Sequence, residues 1–271
     1  MNKIFDFGGF LKSLNESVSN NDLIENIDYT LLSPSATEEE ILELCEKATK
    51  LGVKSVCVLP KMVRVAAEAL SNSPVLVCTV VSFPEGTNTP DQKLAETKQV
   101  IADGADEVDM VLNYPLLKSL LDKLSNIEEA DEEYEKLINQ LAHDDVAPLV
   151  DECHSNTNKD GDPITLKVIV ESGLLTEDET QVATYICLEA DADYIKTSTG
   201  MVAVGAELDK VQIMRNVIED TDSNMKIKAS GGIRTMADLQ KFAPYVDRFG
   251  VGFGSVDKIF GGEEGTATSD Y

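Results

Sequence analysis

Two lysines stand where a fully charged ammonium is out of place. Lys196 ends the short β-prone run DYIK, and Lys228 ends MKIK, with Gly231-Gly232 close behind. Laid over each other without gaps, GADEVDM and DADYIKT bring Asp109 and Lys196 to the same point, and Cys57 in VKSVCV fits the same template. A single buried lysine is commonly half of an ion pair, because a buried charge persists only when compensated. Two lysines and one carboxylate leave one ammonium over. An amine beside another cation in a desolvated pocket loses its proton more easily and can attack a carbonyl. The imine so formed is an electron sink through which a neighbouring carbon–carbon bond breaks or forms, with the carboxylate moving the protons.

Glycine-rich stretches follow the last apolar runs: STG after Lys196, SGGIR after Lys228, and GVGFGS near the end. Their backbone amides can cradle a phosphate, above all at the start of a short helix. Arg234, just after Gly231-Gly232, strengthens the anion reading over that of plain tight turns.

Eight strand-like stretches alternate with helical ones, from IENIDYT to VDRFGVGFG. Helix starts are marked by Thr37 with Glu40, by Thr89-Pro90, and by Thr176 with Glu179. Alternation of this kind implies parallel pairing, and eight such units in this length predict a single-domain (β/α)8 barrel. An open doubly wound sheet is the alternative, but IDYTLLSPSA lacks the glycine-rich turn it would usually carry. If Val56, Val108, Ile195 and Ile227 face the helices, Cys57, Asp109, Lys196 and Lys228 point into the barrel near the C-terminal strand ends. Residues 1–22 are expected as a helical extension, about 262–271 as a flexible tail, and 147–163 as an insertion on the N-terminal face. That insertion partly mimics a calcium loop through Asn156, Asn158, Asp160 and Gly161. Its twelfth position is Lys167 instead of the bidentate glutamate, so a solvated loop is expected.

The chain has 271 residues, 42% of them hydrophobic, and a formal charge of −26. No basic footprint for nucleic acid is visible, and no run approaches the roughly 18 apolar residues of a membrane span. The five cysteines form no CxxC pair, and no signal peptide is apparent, which together predict a reduced cytoplasmic protein. Two histidines are too few for a histidine-based metal site, so no metal or other cofactor is expected.

The segments TLLSPSATEEEI, SVCVLP, SFPEGTNT, GADEVDMV, LKVIVESGLL, DYIKTSTGMVAVGA and IKASGGIR, in this order, resemble the deoxyribose-phosphate aldolase family. The resemblance implies a class I aldolase on a (β/α)8 barrel, often a homodimer. The reaction it implies is reversible cleavage of 2-deoxy-D-ribose 5-phosphate to D-glyceraldehyde 3-phosphate and acetaldehyde. Lys196 would then be the Schiff-base lysine, Lys228 the lysine that tunes it, and Asp109 the acid/base carboxylate. Thr199 and Gly200 would line the substrate, and Gly231, Gly232 and Arg234 the phosphate. Asp28 and Thr30 would hydrogen-bond in the pocket, with Cys57 nearby. The tail EGTATSDY resembles one whose last residue, here Tyr271, assists proton transfer. Two features depart from relatives: Met201 stands where several carry a lysine, and Gly252 and Phe253 replace hydroxyl-bearing residues, with Ser255 left to compensate. Another Schiff-base aldolase of the transaldolase type, or a sugar-phosphate-binding barrel without catalysis, is the competing expectation.

Overall fold

Short strands buried on both faces can satisfy their backbones only by pairing on both sides, and closure into a barrel gives every strand two neighbours. In the computed structural model, which describes residues 20–124 and 131–260, eight parallel strands do this in chain order. They are β1 (Ile27–Leu31), β2 (Ser55–Val58), β3 (Leu76–Val81), β4 (Glu107–Val111), β5 (Thr165–Ile169), β6 (Tyr194–Lys196), β7 (Lys226–Ser230) and β8 (Arg248–Gly252). β1 closes the ring on β8, with Asp28 opposite Gly250 and Thr30 opposite Gly252. The (β/α)8 expectation is borne out.

Val56, Val108, Ile195 and Ile227 lie in the main core between strands and helices. The opposite faces of the strands fill the barrel. On the β2–β3 side this interior is largely apolar, built from Cys57, Cys78 and Val80 with Leu32 above, whereas β1 contributes Asp28 to the charged side. On the β4–β8 side it is charged.

The helix starts follow the expected chemistry. Thr37 accepts from the Glu40 amide while the Glu40 carboxylate accepts from the Thr37 amide, and the same reciprocal box forms at Thr89/Gln92, Thr176/Glu179 and Thr235/Asp238. Between β4 and β5 the helical stretch is divided: Tyr114–Leu124, Asp131–Gln140, a π-helical turn at Leu141–Val146, and Ala147–His154. The last of these corrects the expectation that an irregular insertion begins at 147. Pro148 is tolerated in a first helical turn, and Leu149, Val150 and Cys153 are buried. The irregular part is confined to residues after His154. There the Asn158 carboxamide oxygen accepts from the amides of Asp160 and Asp162, so it holds the loop's own backbone. The π-helical turn carries Asp145, which accepts from the buried Lys93 ammonium at 2.7 Å. Lys93 also donates to the Val111 carbonyl at 2.8 Å, pinning the C-terminal end of β4. Residues 1–19 and the tail with Tyr271 lie outside the described residues.

Thr176→Ala removes one half of a cap that also carries the Lys118–Glu179 ion pair. It is expected to lower stability by about 1 kcal/mol, read from the urea midpoint.

Candidate active site

One carboxylate holds the charged half of the barrel together. Asp109 Oδ2 accepts from Lys196 Nζ and from Lys228 Nζ, each at 2.7 Å. Asp109 Oδ1 accepts from Lys167 Nζ at 2.8 Å and from the Cys78 thiol at 3.2 Å. Strand geometry explains the meeting. Lys196 and Lys228 are register partners on β6 and β7, and Asp109 and Lys167 are partners on β4 and β5.

The network continues downward. Lys167 also donates to Glu107 Oε2 at 2.7 Å. Arg248 donates to Asp28 Oδ1 at 2.6 Å and to Glu107 Oε2 at 3.2 Å. Lys228 pairs with Asp28 as well, and Ser55 donates to Asp28 at 2.8 Å. All of these residues are buried, and only Lys196, at 3%, and Arg248, at 5%, retain visible exposure among the four cations.

Sequence reasoning placed Lys196, Lys228 and Asp109 together, and they are together. It missed Lys167, Glu107 and Arg248. Lys167, which stands at the twelfth position of the calcium-loop comparison, is the middle residue of β5 and reaches Asp109 and Glu107 inside the barrel. Its signal was the two-residue alternation of TLKVI, the rule that located Lys196. Glu107 stands two residues before Asp109 on the same face of β4. The expected placement near a strand end holds for Lys196, the last residue of β6. It is corrected for Asp109 and Lys228, each the middle residue of its strand.

Burial opposes every charge in this cluster, and the neighbours decide the outcome. The adjoining cations hold the Asp109 and Asp28 carboxyls well below the usual carboxylate range. The carboxylates in turn raise Lys167 and Lys228 above the usual lysine value. The stabilisation these pairs contribute is therefore present at neutral pH. It is lost as pH falls through the depressed carboxylate values or rises through the elevated lysine values. The Cys57 thiol is lowered, chiefly by its hydrogen bond with Cys78.

Two groups of ligand atoms among the described residues have spacings that could hold a metal: Cys57, Cys78 and Asp109, and Asp28, Cys78 and Glu107. In both, the Lys167 ammonium already contacts Cys78, at 3.4 Å, and at least one of the carboxylates. A cation's place there is taken by a side chain of the chain itself.

Above Lys196 the glycines gather. Gly200, Gly231 and Gly232 have φ of 85°, 80° and 78°, conformations that side-chain-bearing residues rarely adopt. A Cβ on Gly231 would lie 2.9 Å from Gly205 Cα and 3.4 Å from Ser198 Cβ, so these segments pack backbone to backbone. Ser198 and Ser255 carry buried hydroxyls with no hydrogen-bond partner among the described residues. Ser255 sits in the first turn of the helix Phe253–Phe260, directly after Gly252. Thr199 is buried, while Met201 and Arg234 are exposed. Thr30 is buried, and its hydroxyl donates to the Asp28 carbonyl. A polar cavity of about 600 Å³ opens at the opposite end of the barrel, lined by Lys54, His154, Asp193 and Lys226 with the lower ends of Glu107 and Arg248.

The model of the DeoC/LacD family aldolases matches residues 23–247. The chain belongs to this aldolase family. Among its relatives, the deoxyribose-phosphate aldolase of Mycoplasmoides pirum is 41% identical over 79% of this chain and 86% of its own length. That of Geobacillus sp. (strain WCH70) is 38% identical over 93% of this chain and 99% of its own. Of solved structures, a protein of Coccidioides immitis assigned as a deoxyribose-phosphate aldolase superposes with a TM-score of 0.75 at 34% identity, over 89% of this chain and 85% of its own. The tetrameric deoxyribose phosphate aldolase of Aeropyrum pernix gives 0.71 at 27% identity, over 89% and 91%. No described helix of this aldolase is long and apolar enough to cross a membrane.

Lys167→Ala leaves Asp109 and Glu107 buried with less compensation. The variant is expected to lose about 3–5 kcal/mol of stability, measured by chemical denaturation at neutral pH.

Proposed function

We propose that this aldolase reversibly cleaves 2-deoxy-D-ribose 5-phosphate to D-glyceraldehyde 3-phosphate and acetaldehyde through an imine on Lys196. The observation that carries the reading is the charge count of the buried cluster. Lys167, Lys196, Lys228 and Arg248 face only Asp28, Glu107 and Asp109. Charge balances when one amine is neutral. Arg248 cannot give up its proton, Lys167 contacts three carboxylates, and Lys228 contacts two. Lys196 contacts one, and it alone of the three lysines reaches the open end of its strand, so the free amine arises there at least electrostatic cost.

Attack of that amine on C1 of the open-chain sugar gives a carbinolamine. Asp109, hydrogen-bonded to both Lys196 and Lys228, relays the proton that lets the hydroxyl leave as water. In the iminium, removal of the C3 hydroxyl proton sends the C2–C3 bonding pair toward nitrogen. Glyceraldehyde 3-phosphate departs, and an enamine remains. Protonation of its C2 and addition of water release acetaldehyde and restore the amine. No resident cofactor enters these steps. Tyr271 is assigned the proton transfer at C2 on resemblance alone.

The phosphate end is assigned to the amides of Gly200, Gly231 and Gly232, the helix start at Gly252 with the free Ser255 hydroxyl, and Arg234 at the rim. The exposed Met201 leaves this end without the lysine of several relatives, which predicts weaker phosphate binding. The five free, buried cysteines suit a reducing cytoplasm.

Treatment with acetaldehyde and borohydride is expected to add an ethyl group to Lys196, detected by peptide mass. Lys196→Leu should give no adduct, and Lys228→Leu a slower one; an unlabelled wild-type protein would sink the reading. Met201→Lys is expected to lower KM for the phosphorylated sugar about threefold to tenfold, with KM for 2-deoxyribose itself unchanged.

A further inference from the structure

Glu171 is a buried acid that the mechanism above leaves unused. It directly follows the last paired residues of β5, at the mouth end of the barrel, and it is 1% exposed. Its backbone lies at φ 53° and ψ 51°, a left-handed conformation that a residue with a side chain adopts at some cost. Such strain persists where the surroundings enforce it, commonly beside working sites.

Among the described residues, the hydrogen bonds that its carboxylate accepts all come from one residue. The Thr199 amide donates to Oε1 at 3.2 Å, and the Thr199 hydroxyl donates to Oε2 at 2.5 Å. That same hydroxyl accepts from the Met201 amide at 3.0 Å. The backbone ties run in parallel: Val170 donates to the Lys196 carbonyl at 3.0 Å, and Ser172 to the Thr197 carbonyl at 2.8 Å. One residue on, a Cβ at Gly173 would lie 2.5 Å from the Val204 carbonyl oxygen. The segment 170–173 is therefore laid along 196–204, the stretch that contains Lys196 and the glycine-rich turn.

A carboxylate without a cation in contact is costly to bury. Burial pushes the Glu171 carboxyl above its usual range, against the hydrogen bonds from Thr199. A neutral side chain could fill the space at lower cost, so the acid's value must lie in what it holds.

We propose that Glu171 is a positioning residue that fixes the Thr199–Met201 turn as the seat for the phosphate-bearing end of the sugar. The proposal rests on the aldolase reading. It assigns Glu171 to sugar-phosphate binding and not to imine chemistry, because its bonds reach the turn beyond Lys196 and none reaches the amine. Acetaldehyde, with two carbons, reaches Lys196 without needing the turn. Deoxyribose 5-phosphate needs both.

The test compares two substrates. Glu171→Gly removes the carboxylate while accepting the left-handed backbone. It is expected to raise KM for 2-deoxyribose 5-phosphate about tenfold, with kcat changed less than about threefold. Its rate of borohydride-trapped imine formation with acetaldehyde should match the wild type. Glu171→Gln, which keeps an acceptor for the Thr199 amide, should restore most of the KM. Thr199→Val should raise KM to the same extent, and the Glu171→Gly/Thr199→Val pair should be no worse than either alone. Should the glycine variant fail to fold, Glu171→Gln and Thr199→Val carry the comparison. An unchanged KM overturns the proposal, as does an equal loss of acetaldehyde trapping, which would place Glu171 at the amine. Wild-type protein that traps no acetaldehyde removes the aldolase reading and this proposal with it.

Discussion

Three ammonium groups converge on the Asp109 carboxylate at 2.7–2.8 Å, and this convergence is the constraint on which the rest depends. Like charges this close repel, and a single carboxylate cannot compensate three of them. The barrel meets the demand by sharing. Asp28 and Glu107 take up Lys228, Lys167 and Arg248 from below, so that Lys196 is left with Asp109 alone. Eight strands are needed because the partners come from β1, β4, β5, β6, β7 and β8, which no open sheet of this length brings to one axis. The largely apolar interior of β2 and β3 closes the other side.

What could be read in advance follows from what repeats in one dimension. Strand and helix alternation, the threonine caps and the inward set Cys57, Asp109, Lys196 and Lys228 are local patterns, and each appears as read. Lys167, Glu107 and Arg248 obey the same two-residue alternation. They fall outside the single point at which Cys57, Asp109, Lys196 and Lys228 align, so that template does not mark them. Depth was the second loss. Parallel strands in a closed barrel are staggered, so equal positions in aligned strands are not equal heights. Lys228 pairs with Lys196 in register yet has two more residues of strand above it, whereas Lys196 has none. The helix at Ala147–His154 was hidden by a proline and by the polar residues that surround its three buried ones.

The two ends of the barrel differ in how their loops are held. At the lower end, side chains hold backbone: Lys159 donates to the carbonyl of Ser73 at 2.8 Å and its amide to Asp106 at 2.9 Å, while Asn158 closes its own loop. At the upper end, glycines at positive φ let backbones meet, and hydroxyls of Ser198 and Ser255 stay without partners among the described residues. A buried hydroxyl left unpaired costs on the order of 1–3 kcal/mol. Both hydroxyls are therefore available to pair with water or with an acceptor oxygen of a ligand. Glu171 stands apart from both styles, a strained and buried acid spent on a single threonine of that upper turn.

An ion network of this size is poor evidence for stability. Desolvating seven charged groups opposes the attraction among them, and apolar replacements of similar shape are often as stable or more so. A barrel selected for stability alone would fill this space with apolar residues, as its β2–β3 side does with Cys57, Cys78 and Val80. On the proposed imine chemistry the network has a use that stability does not give it: it sets an amine, Lys196, against a carboxylate, Asp109, that is kept ionised and held in place by its other ammonium partners. The same logic explains how a chain with a formal charge of −26 can receive an anionic sugar. The surface acidity is screened within about 10 Å at ordinary salt, whereas the buried carboxylates are each compensated by cations and so carry no excess negative charge into the pocket.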